Sequence, residues 1–269
     1  MIRWCCYCQR MMGERTPFDE PSFSHGVCAR CEASLERDEP LHLDTESVRA
    51  LFGRIVASAR LSDETACAGL LVEAQALGLD AESLLVGMLQ PALYQAGLDW
   101  HEGQISPAAE RRFTSWCERV FAMVAPAVPS APAGPPINLL IFHTPGNAHT
   151  VGPRFAAHVL SARGLSVELV ASALPLDEMV GLAQRLRPRF IGFSCALPSD
   201  VSVATDLVDR LRAQLEPVIT CRYVLSGFAF RRGGASPPVA PGVEVALDLD
   251  YFGATDRAPP APSRPAPPA

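Results

Sequence analysis

Residues 137–257 alternate short apolar runs with amphipathic stretches, and this alternation limits the fold more than any other feature of the chain. Ile137 to His143, Ser166 to Ala171, Phe190 to Cys195, Val218 to Leu225 and Val243 to Leu249 read as strands. Pro153 to Arg163, Leu176 to Leu186 and Asp200 to Leu215 read as the helices between the first four, and only a short Gly/Pro-rich connection joins the last two. Strands separated by helices cannot pair as hairpins; they pair in parallel, with helices covering both faces. The expected architecture is α/β, a flavodoxin-like doubly wound five-stranded sheet in the order 2-1-3-4-5. Ligands in such sheets sit at the carboxyl ends of the strands, where the order reverses. That places the ligand end at the loops Thr144–Gly152 and Ser194–Ser199.

Three further segments precede this one. Residues 1–42 are Cys-rich and full of turn formers, and residues 43–126 carry helical periodicity throughout. Asp44 or Thr45, Ser62, Asp80 and Ser106 open four helices, with Pro107 at a first helical position and Pro91 expected to kink the third. Four helices joined by short links predict a small bundle. Residues 127–136 form a Pro-rich linker, and residues 258–269 a Pro/Ala tail read as disordered. The 48% apolar and 19% charged composition supplies a core and rules out a disordered chain. A net charge of −6 opposes direct nucleic-acid binding. No run approaches a membrane span and Met1–Cys6 is not a signal peptide, so the expectation is a cytoplasmic protein without membrane contact.

Nine cysteines in a reducing compartment read as metal ligands rather than disulfides. Cys5-x-x-Cys8 and Cys28-x-x-Cys31 are two knuckles whose four thiolates suit one tetrahedral, structural zinc ion. Residues 1–42 hold five Arg against seven acidic residues, which argues against a DNA-reading zinc ribbon. At the sheet's ligand end, His149 stands between Gly146 and Gly152 in a loop too long for a tight turn, free to serve a large ligand. The loop lacks the Gly density and Lys of a phosphate cradle. No nucleophile–base–acid set is visible.

Asn147-Ala-His149-Thr-Val-Gly152 resembles the Asp-x-His-x-x-Gly signature of cobalamin-binding domains, with Asn in place of Asp. Ser194-Cys195-Ala196 and Ser226-Gly227-Phe228 each keep one of two marked positions of that family's later loops. The resemblance spans about residues 43 to 257 and implies a four-helix cap (43–126) over a cobalamin-binding α/β domain (137–257). It also implies that His149 ligates cobalt from below, displacing the cofactor's own base, while Asn147 orients the ring without supplying charge. Trp100-x9-Glu110 resembles the cap signature of adenosylcobalamin photoreceptors, in which a Trp packs on the adenosyl group and a Glu contacts it. Arg111 stands where those proteins have a cobalt-capturing His, and a guanidinium cannot ligate cobalt. Relatives of those photoreceptors also use a bilin, so the resemblance admits a second chromophore. Ser24-His-Gly-Val-Cys28-Ala-Arg-Cys31 resembles a module attached to bacterial sensor kinases and related signalling proteins.

Together these imply a cobalamin-binding, light-responsive regulator rather than an enzyme. It would favour adenosylcobalamin and signal to a transcription regulator or sensor kinase through its zinc module, cap surface or a homo-oligomer. The alternatives are a corrinoid methyl carrier serving a methyltransferase and a cobalamin-sensing antirepressor. Arg231 and Arg232, after the fourth strand, are candidates for contacts to the corrinoid's periphery.

Overall fold

The structure, a computed structural model, describes residues 1–5, 10–15, 22–28, 31, 45–61, 64–125, 136–231 and 237–254. Cys6, Cys8, Ser62 and Arg232, all of residues 32–44 with Asp44 among them, nearly all of the linker and the tail lie outside this set.

The chain opens with three four-residue strands, β1 (Ile2–Cys5), β2 (Met11–Glu14) and β3 (Phe23–Gly26), in the order β2-β1-β3. The β1–β2 pair is antiparallel and the β1–β3 pair parallel. Strands this short cannot stand alone. They lean instead on the helices that follow, α1 (Thr45–Leu61), α2 (Glu64–Ala76), α3 and α4 (Pro107–Val124).

Helix α3 begins as Ala81–Leu84, opens into a π turn over Leu85–Leu89 and continues as Gln90–His101. The kink expected at Pro91 is this π turn. Pro91 has no N–H to donate and its ring crowds the preceding turn, and widening that turn relieves both problems. Asp80 caps α3 by accepting the Ser83 N–H at 2.7 Å, and Ser106 caps α4 by accepting the Ala109 N–H at 3.1 Å.

The α/β unit has β4 (Leu139–Phe142), α5 (Val151–Ala162), β5 (Val167–Val170), α6 (Leu176–Leu186), β6 (Phe190–Ser194), α7 (Pro198–Leu215), β7 (Arg222–Ser226), β8 (Val243–Ala246) and α8 (Asp250–Ala254). Its sheet is parallel throughout, ordered β5-β4-β6-β7-β8, which is the expected 2-1-3-4-5. Residues 218–221, read from sequence as strand, instead lie in the turn and connection between α7 and β7, with the Val218 and Ile219 N–H groups both donating to the Leu215 carbonyl. Alternate side chains take opposite faces. Leu140, Phe142, Ile191 and Phe193 meet α6 and α7, whereas Leu139, Ile141, Val224 and Ala246 face α5 and α8.

The four helices do not form a bundle with a core of its own. One buried cluster joins Trp4 and Met11 of the small sheet, Leu51, Leu85, Leu89 and Trp116 of the helices, and Val151, Phe155 and Val159 of α5. Helix α5 thus belongs to both halves. Phe121 of α4 packs on Phe155 with ring centroids 5.3 Å apart, and Arg154 bonds Glu118 at 3.0 Å beside them. Among the described residues no helix is long and apolar enough to cross a membrane.

The small sheet docks on the π turn, where the Met11 N–H donates to the Ser83 hydroxyl at 3.2 Å. A Cβ on Gly87 would stand 3.0 Å from the Trp4 ring and 3.1 Å from the Met11 sulfur. Gly87→Ala should therefore cost about 1–3 kcal/mol through overpacking. Gly53, with nothing within 4 Å of such a Cβ, should gain up to about 1 kcal/mol on the same change from helix propensity. Chemical denaturation of the two variants checks the pair; a gain in both would show that the sheet does not seat on the π turn.

Candidate functional site

The loop after β4 folds back on itself, and its geometry defines the site. Thr144 is fully buried and its hydroxyl faces the Ser194 carbonyl at 3.3 Å. The Asn147 N–H donates to the Thr144 carbonyl at 3.1 Å, turning the chain at the exposed Pro145-Gly146. Asn147 is buried, and its side chain does two jobs. Its Nδ2 donates to the Ser194 carbonyl at 2.9 Å, and its Oδ1 accepts the His149 N–H at 2.8 Å. The same Oδ1 lies 3.0 Å from His149 Nδ1. An amide oxygen can only accept, so Nδ1 carries the proton and Nε2 keeps its lone pair. The His149 ring is exposed and held, which is the state a metal-ligating imidazole needs.

The neighbouring loops are locked to this one. Ser194 and Ser226 stand opposite each other in the sheet, and the Cys195 N–H donates to the Ser226 carbonyl at 2.7 Å. Gly227 has φ +112, and a Cβ there would lie 2.4 Å from the Cys195 carbonyl oxygen, so only glycine lets the two loops touch. Buried Asp200 accepts the Ala196 and Leu197 N–H groups, each at 2.9 Å, and fixes the loop after β6. Burial, and then the Asp200 charge, push the Cys195 thiol up to about 12, making it a packing group rather than a nucleophile.

Beside these loops a cavity of about 560 Å³ runs along the sheet. Gly152, Ser194, Ser226 and Gly227 line its strand-end part, and Leu139, Ile141, Val224 and Ala246 its floor. Gly152, Ala156, Leu160 and Arg163 recur at helical spacing along one stripe of α5, while Val151, Phe155 and Val159 on the other stripe serve the shared core. Val86, Gln90 and Tyr94 of α3 and Met11 to Glu14 of β2 complete the walls. A volume in the range of cofactor pockets, floored by apolar side chains and lined at its strand end by Gly152, which follows His149 in the same loop, has room for part of a large cofactor.

Other predicted residues fall elsewhere. Trp100 ends α3 with 44% of its surface exposed, and Glu110 accepts a 2.8 Å hydrogen bond from Thr114 in the first turns of α4. Neither lines the cavity, and neither do Gly146, Asn147 and His149; of the predicted residues Gly152, Ser194, Ser226 and Gly227 do. Arg231 is not a free periphery contact. It is buried, ion-paired with Glu14 of β2, donates to the Leu247 carbonyl and lies 5.9 Å from the Tyr94 ring centroid. Burial lowers its guanidinium to about 10 against the opposing pull of Asp248, so it stays charged at neutral pH. Tyr94 in turn stacks on Phe228 at 4.4 Å. Glu14, Tyr94 and Asp200 carried no motif, and the Glu14–Arg231 pair joins residues too far apart in sequence for any spacing to signal it.

The sulfurs of Cys5, Cys28 and Cys31 lie within 4.8 Å of one another, and Cys8 falls outside the described residues. The Cys28 N–H points to the Cys5 sulfur and the Cys31 N–H to the Cys28 sulfur, both at 3.4 Å, as donors that would stabilise thiolates.

The arrangement is that of a ligand-binding doubly wound domain with a histidine presented at its switch point. Residues 43–125, the helical segment before the sheet, match the family model described as the B12 binding domain. The fold is similar to that of the monomethylamine corrinoid protein of Methanosarcina barkeri, with TM-score 0.58 and 14% identity over 77% of this chain and 97% of that one. Two further structures align with TM-score 0.38, too low to add to the argument. One is a cobalamin-binding protein from Desulfitobacterium hafniense (16% identity, 77% of this chain and 97% of that one). The other is the methanol:cobalamin methyltransferase complex of Methanosarcina barkeri (18%, 86% and 88%). No curated protein matches the chain. Corrinoid binding is supported by the family-model match over residues 43–125; light sensing rests on the spacing of Trp100 and Glu110 alone.

Because Asn147 both donates and accepts, Asn147→Asp should destabilise the fold by about 1–3 kcal/mol, setting a carboxylate against the Ser194 carbonyl. Thermal and denaturant unfolding measure this, and an unchanged or raised stability would mean that the amide does not hold the loop.

Proposed function

We propose that this chain is a corrinoid carrier, binding its cofactor with His149 beneath the metal and the displaced base in the cavity along β4, β6 and β7. The observation that carries this reading is the His149–Asn147–Ser194 chain of hydrogen bonds at the carboxyl ends of β4 and β6. Bound there, a corrinoid supplies a cobalt centre able to take up and release an alkyl group. The protein's part is to hold the imidazole by Asn147, to bring the loops of Ser194 and Ser226 together through Gly227, and to bury the tail against Leu139, Ile141 and Val224. Arg111, which cannot ligate cobalt where the resembling photoreceptors carry a His, favours a carrier over a light sensor. The partner is then a methyltransferase subunit that meets the corrinoid's upper face. Cys5, Cys8, Cys28 and Cys31 hold a structural zinc ion in this reading.

The second reading, a light-responsive adenosylcobalamin regulator acting on a transcription regulator or sensor kinase, keeps one supporting observation. Trp100 is a large exposed indole across a short loop from Glu110, and in this reading it would cover an upper ligand. A bilin and an adenosyl ligand belong to that reading only.

His149→Ala should weaken hydroxocobalamin binding at least about tenfold and change the visible spectrum of what remains bound. Trp100→Ala should affect adenosylcobalamin and hydroxocobalamin equally, with no light-dependent change in hydrodynamic size. An unaltered spectrum and affinity in His149→Ala would overturn corrinoid ligation by this residue. A selective loss of adenosylcobalamin binding in Trp100→Ala would put the light sensor ahead.

A further inference from the structure

The thiolate cluster and the cavity share a wall. Cys28 belongs to the cluster and also lines the cavity. Cys5 ends β1, and its N–H donates at 2.9 Å to the carbonyl of Arg10, the residue before β2. Met11, Met12, Gly13 and Glu14 of β2 then form the cavity wall facing α5 and α8. The far end of that wall is pinned by the buried Glu14–Arg231 pair, and Arg231 follows the Ser226-Gly227 loop at the site.

Three sulfurs converging within 4.8 Å of one another offer soft donors to one thiophilic cation, and a cation held there cross-links the end of β1 to Cys28 and Cys31. Four-residue strands gain too little from their own pairing to hold the wall unaided. Resting on the corrinoid reading above, we propose that a thiophilic divalent cation bound at Cys5, Cys28 and Cys31 sets β2 as the cavity wall and thereby licenses corrinoid binding. Linkage makes the effect reciprocal: bound corrinoid tightens the cation site by the same factor.

The test uses the full chain stripped of metal by a chelator and then reloaded with Zn²⁺. Titration with hydroxocobalamin, followed by visible absorbance, should show affinity about 5- to 150-fold tighter in the Zn²⁺ form. Competition with a zinc-sensitive dye should show the same factor gained in Zn²⁺ affinity when hydroxocobalamin is present. Glu14→Gln, which unpins the wall without touching the thiolates, should reduce the coupling while leaving Zn²⁺ affinity of the corrinoid-free protein unchanged. Far-UV circular dichroism should stay helical after stripping. Equal hydroxocobalamin affinity in the two forms overturns the coupling alone. Collapse of the helical signal overturns it in favour of a general folding requirement for the metal, and failure to bind in either form overturns the corrinoid reading together with the coupling.

Discussion

The side chain of Asn147 is the joint on which the site depends. A buried amide must satisfy both its donor and its acceptor or lose the benefit of folding around it. Here the donor finds the Ser194 carbonyl at the end of β6 and the acceptor finds the backbone and ring of His149. The carboxyl ends of the two strands flanking the switch point are therefore joined through one residue, and the imidazole inherits its tautomer from that joint. A carboxylate could serve the histidine but not the carbonyl, which gives a physical reason for Asn where related motifs carry Asp.

The second dependence is on α5, whose two stripes do different work. Val151, Phe155 and Val159 tie it to the helical segment and the small N-terminal sheet, while Gly152, Ala156 and Leu160 border the cavity. Because both stripes belong to one rigid helix that starts just after His149, the position of the helical segment and the shape of the cavity are set together. The same economy explains why the N-terminal sheet is not an appendage. Trp4 and Met11 close over Gly87 on one side, and Met12 to Glu14 wall the cavity on the other.

Much of this was legible from residues alone. Short apolar runs separated by amphipathic ones carry their own pairing rule, so the sheet order followed from the sequence alone. Helix caps at Asp80 and Ser106 were equally plain, since capping is a local event. What sequence could not show were the contacts between distant segments. The Glu14–Arg231 pair, the Tyr94–Phe228 stack and the shared core have no local signature, and the helices therefore read as a separate bundle. Trp100 and Glu110 are close in sequence and lie across one short loop, Trp100 at the end of α3 and Glu110 in the first turn of α4, so their nearness was legible from spacing.

The central claim is that a nitrogen of His149, and not the cofactor's own base, stands beneath the cobalt. It is tested most directly by electron paramagnetic resonance of the cobalt(II) cobalamin complex, prepared with protein carrying ¹⁵N only in histidine. Ligation by His149 predicts that the axial nitrogen splitting changes from a triplet to a doublet on labelling, and that His149→Ala abolishes the doublet. A triplet that persists in the labelled protein would contradict the account.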